Sequence, residues 1–390
     1  MVTQQGSDLR VGVLGFGLRS GLAALVDRPG AGSRVVAVCD PRPQRREAAR
    51  GRYPEALVTD DQAEFLGAGL DAVFVLSPDH LHEEHAVAVL EAGAAVYLEK
   101  PMAVSTAGCD RVLETAARTG SRLYIGHNMR HMPVVQAMRE LILEGAIGEV
   151  RAIWCRHFVG HGGDFYFKDW HSERARSTGL LLQKGAHDID VIHWLAGGYT
   201  RRVNAMGALT VFGDVARAGE RAEYLPPEGW TGLEAWPPAT QTGLNPALDV
   251  EDLSMMTMAL DNGVFATYQQ CHYTPDYWRN YTVIGTEGRL ENFDDGPGAR
   301  VEVWNTRRKG YPAEPDRLVV IGESTGGHGG ADPQIVAEFL RFARDGEPTL
   351  TSPIAAREAV AAACAATESL RSGGTLVEIP EPPVAAADLN

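Results

Sequence analysis

Leu9-Arg10-Val11-Gly12-Val13-Leu14-Gly15-Phe16-Gly17-Leu18-Arg19-Ser20 is an apolar run that breaks into a glycine turn and then enters a second apolar pattern over 22–26. That order spells strand, tight turn, helix. Gly15 permits the turn, Gly17 lets the backbone approach a pyrophosphate, and Ser20 is small enough to stand where a third glycine would allow close helix–strand packing. The chain from Phe16 through Leu18 and Arg19 then offers N–H groups and a positive dipole end to phosphates. A second apolar run, 34–39, is closed by Asp40, 20 residues beyond Ser20. An acid there accepts hydrogen bonds from the adenosine ribose hydroxyls, which selects NAD. Arg42, Arg45 and Arg46 follow and are suited to a 2′-phosphate, so NADP is the alternative cofactor.

Further apolar runs lie at 71–76, ending in Ser77-Pro78, at 94–98, ending in Glu99-Lys100-Pro101, and at 123–125, stopped by Gly126. Helical patterns at 84–91 and 107–118 separate them. Strands alternating with helices imply right-handed crossovers and a parallel sheet covered on both faces. After about 127 the rhythm changes. A helix near 134–144 leads to a strand near 150–156, an aromatic loop and a helix near 187–195. Alternating segments at 252–260, 264–271 and 281–284 follow, with Asn262-Gly263 as a hairpin signal. Helices near 333–343 and 355–370 close the chain. The expected fold class is α/β, with an N-terminal Rossmann dinucleotide-binding domain over 8–127. An antiparallel-rich α+β domain occupies 128–390, with an insertion loop over about 213–248.

The chain has 390 residues, which favours two domains over one core. Hydrophobic content of 44% and charged content of 22% are those of a soluble globular protein. A net charge of −15 argues against a nucleic-acid partner. Five scattered cysteines, with no CxxC pair, fit a reducing cytoplasm. No run approaches the ~18 apolar residues of a membrane span, so no membrane partner is expected. His80-Leu81-His82-Glu83-Glu84-His85 is dense in metal-ligand types but lacks the HExxH spacing, and no metal is expected.

In an open parallel sheet, ligands bind beyond the carboxyl ends of the strands. Ser77-Pro78-Asp79-His80 and Glu99-Lys100-Pro101 both fall at such ends, and an X-Pro bond in the cis form would aim the Lys100 side chain sharply. His187 precedes an apolar helical pattern, with Asp190 along the same helix. A neutral imidazole is well matched to take a proton near neutral pH. The loop from 157 to 177, with Tyr166, Lys168, Trp170, His171 and Arg174, suits the lining of a sugar site or a lid. Gly326-Gly327-His328-Gly329-Gly330 places His328 by the pocket or forms a turn.

In these motifs the chain closely resembles the Gfo/Idh/MocA oxidoreductases, the glucose–fructose oxidoreductase and inositol dehydrogenase family. The resemblance runs from about 9 to 370. Beyond the motifs already quoted it takes in Gly126-His127-Asn128-Met129-Arg130, Gly145-Ala146-Ile147-Gly148-Glu149-Val150, Gly185–Asp190 and Ile284-Gly285-Thr286-Glu287-Gly288. It implies a large, mainly antiparallel open sheet in the second domain and a homodimer or homotetramer. It implies a cofactor site with Ser77, Pro78, His80, His82, Glu99, Lys100 and Asn128 beside Gly15, Gly17 and Asp40. It also implies catalysis by Lys100 and His187 on a sugar or polyol hydroxyl; Tyr166 and Trp170 of the aromatic loop, and Gln183 and Lys184 just before that His, are the further substrate candidates. One departure stands out: where the family often carries an Asp four residues before the His, this chain has Gln183, which orients a hydroxyl but cannot act as a base. The acid–base burden then falls on His187, with Lys100 and Lys184 polarising the substrate oxygen. The alternatives are a redox-cycling enzyme that eliminates, epimerises or cleaves a glycoside, and a non-catalytic dinucleotide sensor.

Overall fold

Six short apolar runs pair in parallel: β1 (Leu9–Leu14), β2 (Ser33–Cys39), β3 (Leu57–Thr59), β4 (Ala72–Val75), β5 (Ala95–Leu98) and β6 (Leu123–Ile125). Their order is β3-β2-β1-β4-β5-β6, so the strand order reverses at β1/β4. β4 is buried along its whole length and β5 likewise, as helices on both faces require. β3 is the one strand of this sheet with no sequence signal: Leu57-Val58-Thr59 is a half-buried edge strand that ends in a polar residue, unlike the equally short but fully buried β6. The helix Thr106–Thr119 illustrates the local logic: the Ser105 hydroxyl accepts from the Gly108 N–H at its start, and Gly120 ends it at φ 70°.

The computed structural model describes residues 7–218, 235–311, 314–323 and 328–383, without the side chain of His328, and falls into two units. The first unit comprises 1–131, 326–357 and 382–390; the second comprises 132–325 and 358–381. This differs from the expected boundaries, which placed everything after 127 in the second domain. The helix Ala331–Asp345 buries Ile335, Val336 and Phe339 in the core of the first sheet. The Phe339 ring meets Phe74 edge-on at 5.0 Å and lies 5.5 Å from Tyr97 and 5.6 Å from Tyr124. One sheet face needs a cover, and a segment some 200 positions away supplies it. The motif at 326–330 lies partly outside the described residues, as does the side chain of His328.

The second unit is built on a nine-stranded sheet. Its strands are β7 (Val150–Val159), β8 (Thr200–Ala208), β9 (Leu253–Leu260), β10 (Phe265–Cys271), β11 (Tyr277–Gly285), β12 (Arg289–Phe293), β13 (Arg300–Trp304), β14 (Arg317–Val320) and β15 (Val377–Glu378). The order is β14-β13-β12-β11-β7-β10-β9-β8-β15, antiparallel throughout except for β10 beside β7. Asn262-Gly263 does turn the β9–β10 hairpin, with Gly263 at φ 84°. The helix Gly185–Ala196 packs on β7 and β10. The expected insertion loop is partly structured. Phe212–Ala218 is helical, and Phe212, Leu244 and Val250 join a core with Val159, Tyr166, Phe167 and Leu180. Residues 219–234 of that segment lie outside the described residues.

Candidate active site

In the first unit the loops after β1 and β4 meet where the strand order reverses. Gly15 sits at φ 92°, and a Cβ there would lie 2.7 Å from the Ser77 main-chain nitrogen. Only glycine satisfies both the backbone and the space. Gly17 has no such neighbour; its Cβ would meet only the Arg42 guanidinium, at 3.5 Å. The Phe16 ring is buried edge-on against Tyr53, so this residue has only its backbone to offer a ligand. Its N–H donates to the Asp40 carboxylate at 2.8 Å. Arg42 donates to Asp40 from its backbone N–H and its guanidinium. Burial pushes the Asp40 carboxyl up, but these donors outweigh it and hold it below the usual range. A glycine cradle and an ionised acid at the end of β2 fit the pyrophosphate and ribose of NAD.

The other expected cofactor residues divide into two groups. Leu18 is exposed, and Pro78, His80 and Lys100 are half-buried at strand ends, where a ligand could reach them. The Lys100-Pro101 bond is cis. Arg19, Glu99 and Asn128 instead form a knot with Asp332, a residue without a sequence signal. The Arg19 Nε donates to Glu99 at 2.7 Å, and its Nη atoms donate to the two Asp332 oxygens at 3.0 and 3.2 Å. Asn128 donates to Asp332 at 3.0 Å. Burial pushes the Glu99 carboxyl up; the charges of Arg19 and Lys100 bring it below its ordinary value. These side chains therefore brace the loops around the cradle. His82 departs furthest from expectation. It is 1% exposed, and its Nδ1 and Nε2 face the carbonyls of Pro101 and Ser77 at 2.7 and 2.8 Å, which leaves no ring nitrogen for a cofactor.

In the second unit Gln183, Lys184 and His187 gather at the start of the Gly185–Ala196 helix, all nearly buried. Gly185 lets this end seat on the Tyr268 ring, 2.9 Å from where its Cβ would be. Next to His187, the fully buried Asp188 collects donors from two strands. Arg279 approaches at 2.9 Å, the Tyr281 hydroxyl donates at 2.5 Å, and His157 Nδ1 lies at 3.0 Å. Burial raises the Asp188 carboxyl, yet Arg279 and His157 hold it strongly ionised. Sequence reading missed Asp188, His157, Arg279 and Tyr281. The Asp-x-Asp spacing of Asp188 and Asp190 was visible, but the partners on β7 and β11 were not.

Lys184 Nζ lies 5.8 Å from the centre of the Tyr166 ring. Burial and then its charge pull His161 down to about 4, and burial, His157 and Lys184 in that order hold His272 well below its usual value. His157 is pulled down to about 3 by burial and Arg279. Tyr166 is buried in the core around Phe167, which leaves little of its ring for a ligand. Trp170 is half-buried and stacks on His171 at 3.8 Å. Among the described residues no cluster of three or more His, Cys, Asp or Glu side chains could hold a metal.

Two family models match the chain. Residues 9–127 match the oxidoreductase family with an NAD-binding Rossmann fold, and 135–291 match the GFO/IDH/MocA C-terminal domain. YteT of Bacillus subtilis (strain 168), named as an oxidoreductase, is 25% identical over 361 residues, 81% of this chain and 84% of that protein. Inositol 2-dehydrogenase 1 of Saccharopolyspora erythraea is 34% identical over 199 residues, 50% of this chain and 56% of that protein. A levoglucosan dehydrogenase solved with NADH and levoglucosan superimposes with a TM-score of 0.76 at 19% identity, over 96% of this chain and all of that one.

Proposed function

This chain belongs to the Gfo/Idh/MocA oxidoreductases and carries their NAD-binding Rossmann domain, and from that premise we propose that it is an NAD-dependent dehydrogenase of a sugar or cyclic polyol hydroxyl. The observation that carries the proposal is the meeting of the β1 and β4 loops at the strand-order reversal, with Lys100 at the end of the adjacent β5. NAD, when bound, supplies the hydride acceptor. Asp40 accepts from the ribose hydroxyls while the Phe16 N–H holds its carboxylate in place, and the N–H groups from Gly17 to Arg19 hold the phosphates. The Lys100 ammonium polarises the substrate oxygen, His187 takes the hydroxyl proton, and Gln183 and Lys184 orient neighbouring hydroxyls. Positioned proton transfer of this kind contributes about 10²- to 10⁴-fold.

Gln183 favours one second reading. With no carboxylate at that position, transient oxidation followed by elimination or epimerisation of the same sugar becomes a competing outcome, with NAD regenerated. One experiment separates these. Purified protein is mixed with NAD or NADP and a panel of inositols, aldoses, sugar acids and glycosides, and absorbance at the NADH band is followed. The dehydrogenase produces NADH with one member, and His187→Ala lowers that rate about 10²-fold or more while NADH binding persists. Consumption of a glycoside without NADH points to redox cycling. Cofactor binding without turnover of any panel member sinks both.

A further inference from the structure

His82 opens the helix His82–Glu91, behind the loops that follow β4 and β5. Both of its ring nitrogens face main-chain carbonyls, Ser77 on one side and Pro101 on the other. Carbonyl oxygens only accept, so making both bonds at once takes an N–H on both nitrogens. Ser77 is itself held from a second direction, since its hydroxyl lies 2.8 Å from His85 Nδ1. Its main-chain nitrogen packs against Gly15. One imidazole thus joins the chain beside the cofactor cradle to the chain that carries Lys100.

We propose that His82 is a positioning residue that clasps the Ser77 and Lys100-Pro101 loops together, with one bond when neutral and both when protonated. Three ionisable groups bear on it: Glu99 favours the cation, and Lys100 and His85 oppose it. Burial is the largest influence and draws the ring below 6.5. At neutral pH the clasp is therefore held by a single bond, and acidification below 6.5 closes the second. Glu99 stays ionised through that range, because Arg19 and Lys100 hold it down. The functional weight of the clasp rests on the role proposed for Lys100, but the clasp itself is read without any substrate.

Lysine chemistry provides the test, because only four of the 36 basic residues are lysines: Lys100, Lys168, Lys184 and Lys309. Reductive ¹³C-methylation of the full chain gives four side-chain signals, and Lys100→Arg assigns the one that matters. In the unsubstituted protein the Lys100 signal is expected to shift as pH falls below 6.5, in addition to its own titration at high pH. His82→Gln and His82→Leu should abolish that acid step and displace the Lys100 signal, leaving those of Lys168, Lys184 and Lys309 in place. They should also weaken NADH binding roughly five- to tenfold, the equivalent of about one hydrogen bond. A Lys100 signal with no acid step in the unsubstituted protein overturns the proposal, whether or not the variants fold. An acid step that survives in folded His82→Gln does so too. Neither result depends on whether a dehydrogenase substrate is found.

Discussion

At the scale of single residues, the two units handle charge differently. In the first, Asp40 and Glu99 stay ionised because donors reach them from the chain around the glycine cradle. In the second, His157 and His161 stay neutral because burial and nearby Arg279 and Lys184 oppose a second proton. The sign of the consequence is fixed. Both imidazoles have folded values below the ordinary 6.5, so the unfolded chain binds more protons between 6.5 and the folded values of about 3 and about 4. Their contribution is complete above 6.5 and is lost as pH falls through that window. Each adds a slope of about 1.4 kcal/mol per pH unit there. Urea unfolding of His157→Asn and His161→Asn at stepped pH should show a shallower acid dependence than the unsubstituted chain; an unchanged slope would refute the assignment. Gly15→Ala places a Cβ against the Ser77 backbone at a positive φ, which costs about 1–3 kcal/mol. Fluorescence titration should show NADH affinity reduced at least tenfold, and affinity within twofold of normal would contradict the cradle.

At the scale of elements, the helix Ala331–Asp345 is the informative one. Its amphipathic pattern is plain in the sequence, but the pattern does not say which sheet it covers. The aromatic contacts of Phe339 tie it to β4, β5 and β6. Truncating a fully buried phenylalanine costs about 3–5 kcal/mol. Phe339→Ala should therefore lower both the unfolding midpoint and NADH affinity, since Asp332 on the same helix braces Arg19 and Asn128. Loss of stability with full NADH affinity would show that helix and cradle are independent. The Gly185–Ala196 helix is the counterpart in the second unit: Gly185 and Asp188 fix its first turn to the sheet, and that turn presents His187.

At the scale of the molecule, the helix Gly185–Ala196 packs on one face of the nine-stranded sheet at β7 and β10, and among the described residues the opposite face carries exposed apolar side chains. Trp154, Phe265, Met255 and Met206 are 52%, 60%, 48% and 71% exposed and share one face by strand register, with Met206 directly opposite Met255. A homodimer or homotetramer that covers this face is the proposed assembly. Light scattering of the unsubstituted chain should give a multiple of 42.1 kDa, and Trp154→Glu should shift it toward monomer. A monomeric unsubstituted chain rules the assembly out. Among the described residues no helix is long and apolar enough to cross a membrane.

The sequence by itself determined the elements whose causes are local. Leu9–Leu14 with Gly15 and Gly17 specified strand, turn and helix, Asp40 marked the end of β2, and Asn262-Gly263 specified a hairpin. Lys100 and Ser77 were legible as strand-end residues because chain neighbours alone place them there. The tertiary structure decided what depends on distant pairing. β3, a half-buried edge strand, was fixed by its pairing with β2, and Ala331–Asp345 joined the first sheet through contacts across some 200 positions. Asp332 found Arg19, and Asp188 found Arg279 and His157. His82, which the family resemblance placed beside the cofactor, turned inward to two carbonyls. A buried charge or polar ring must find a partner wherever the fold brings one, and that partner leaves no trace in the residues beside it.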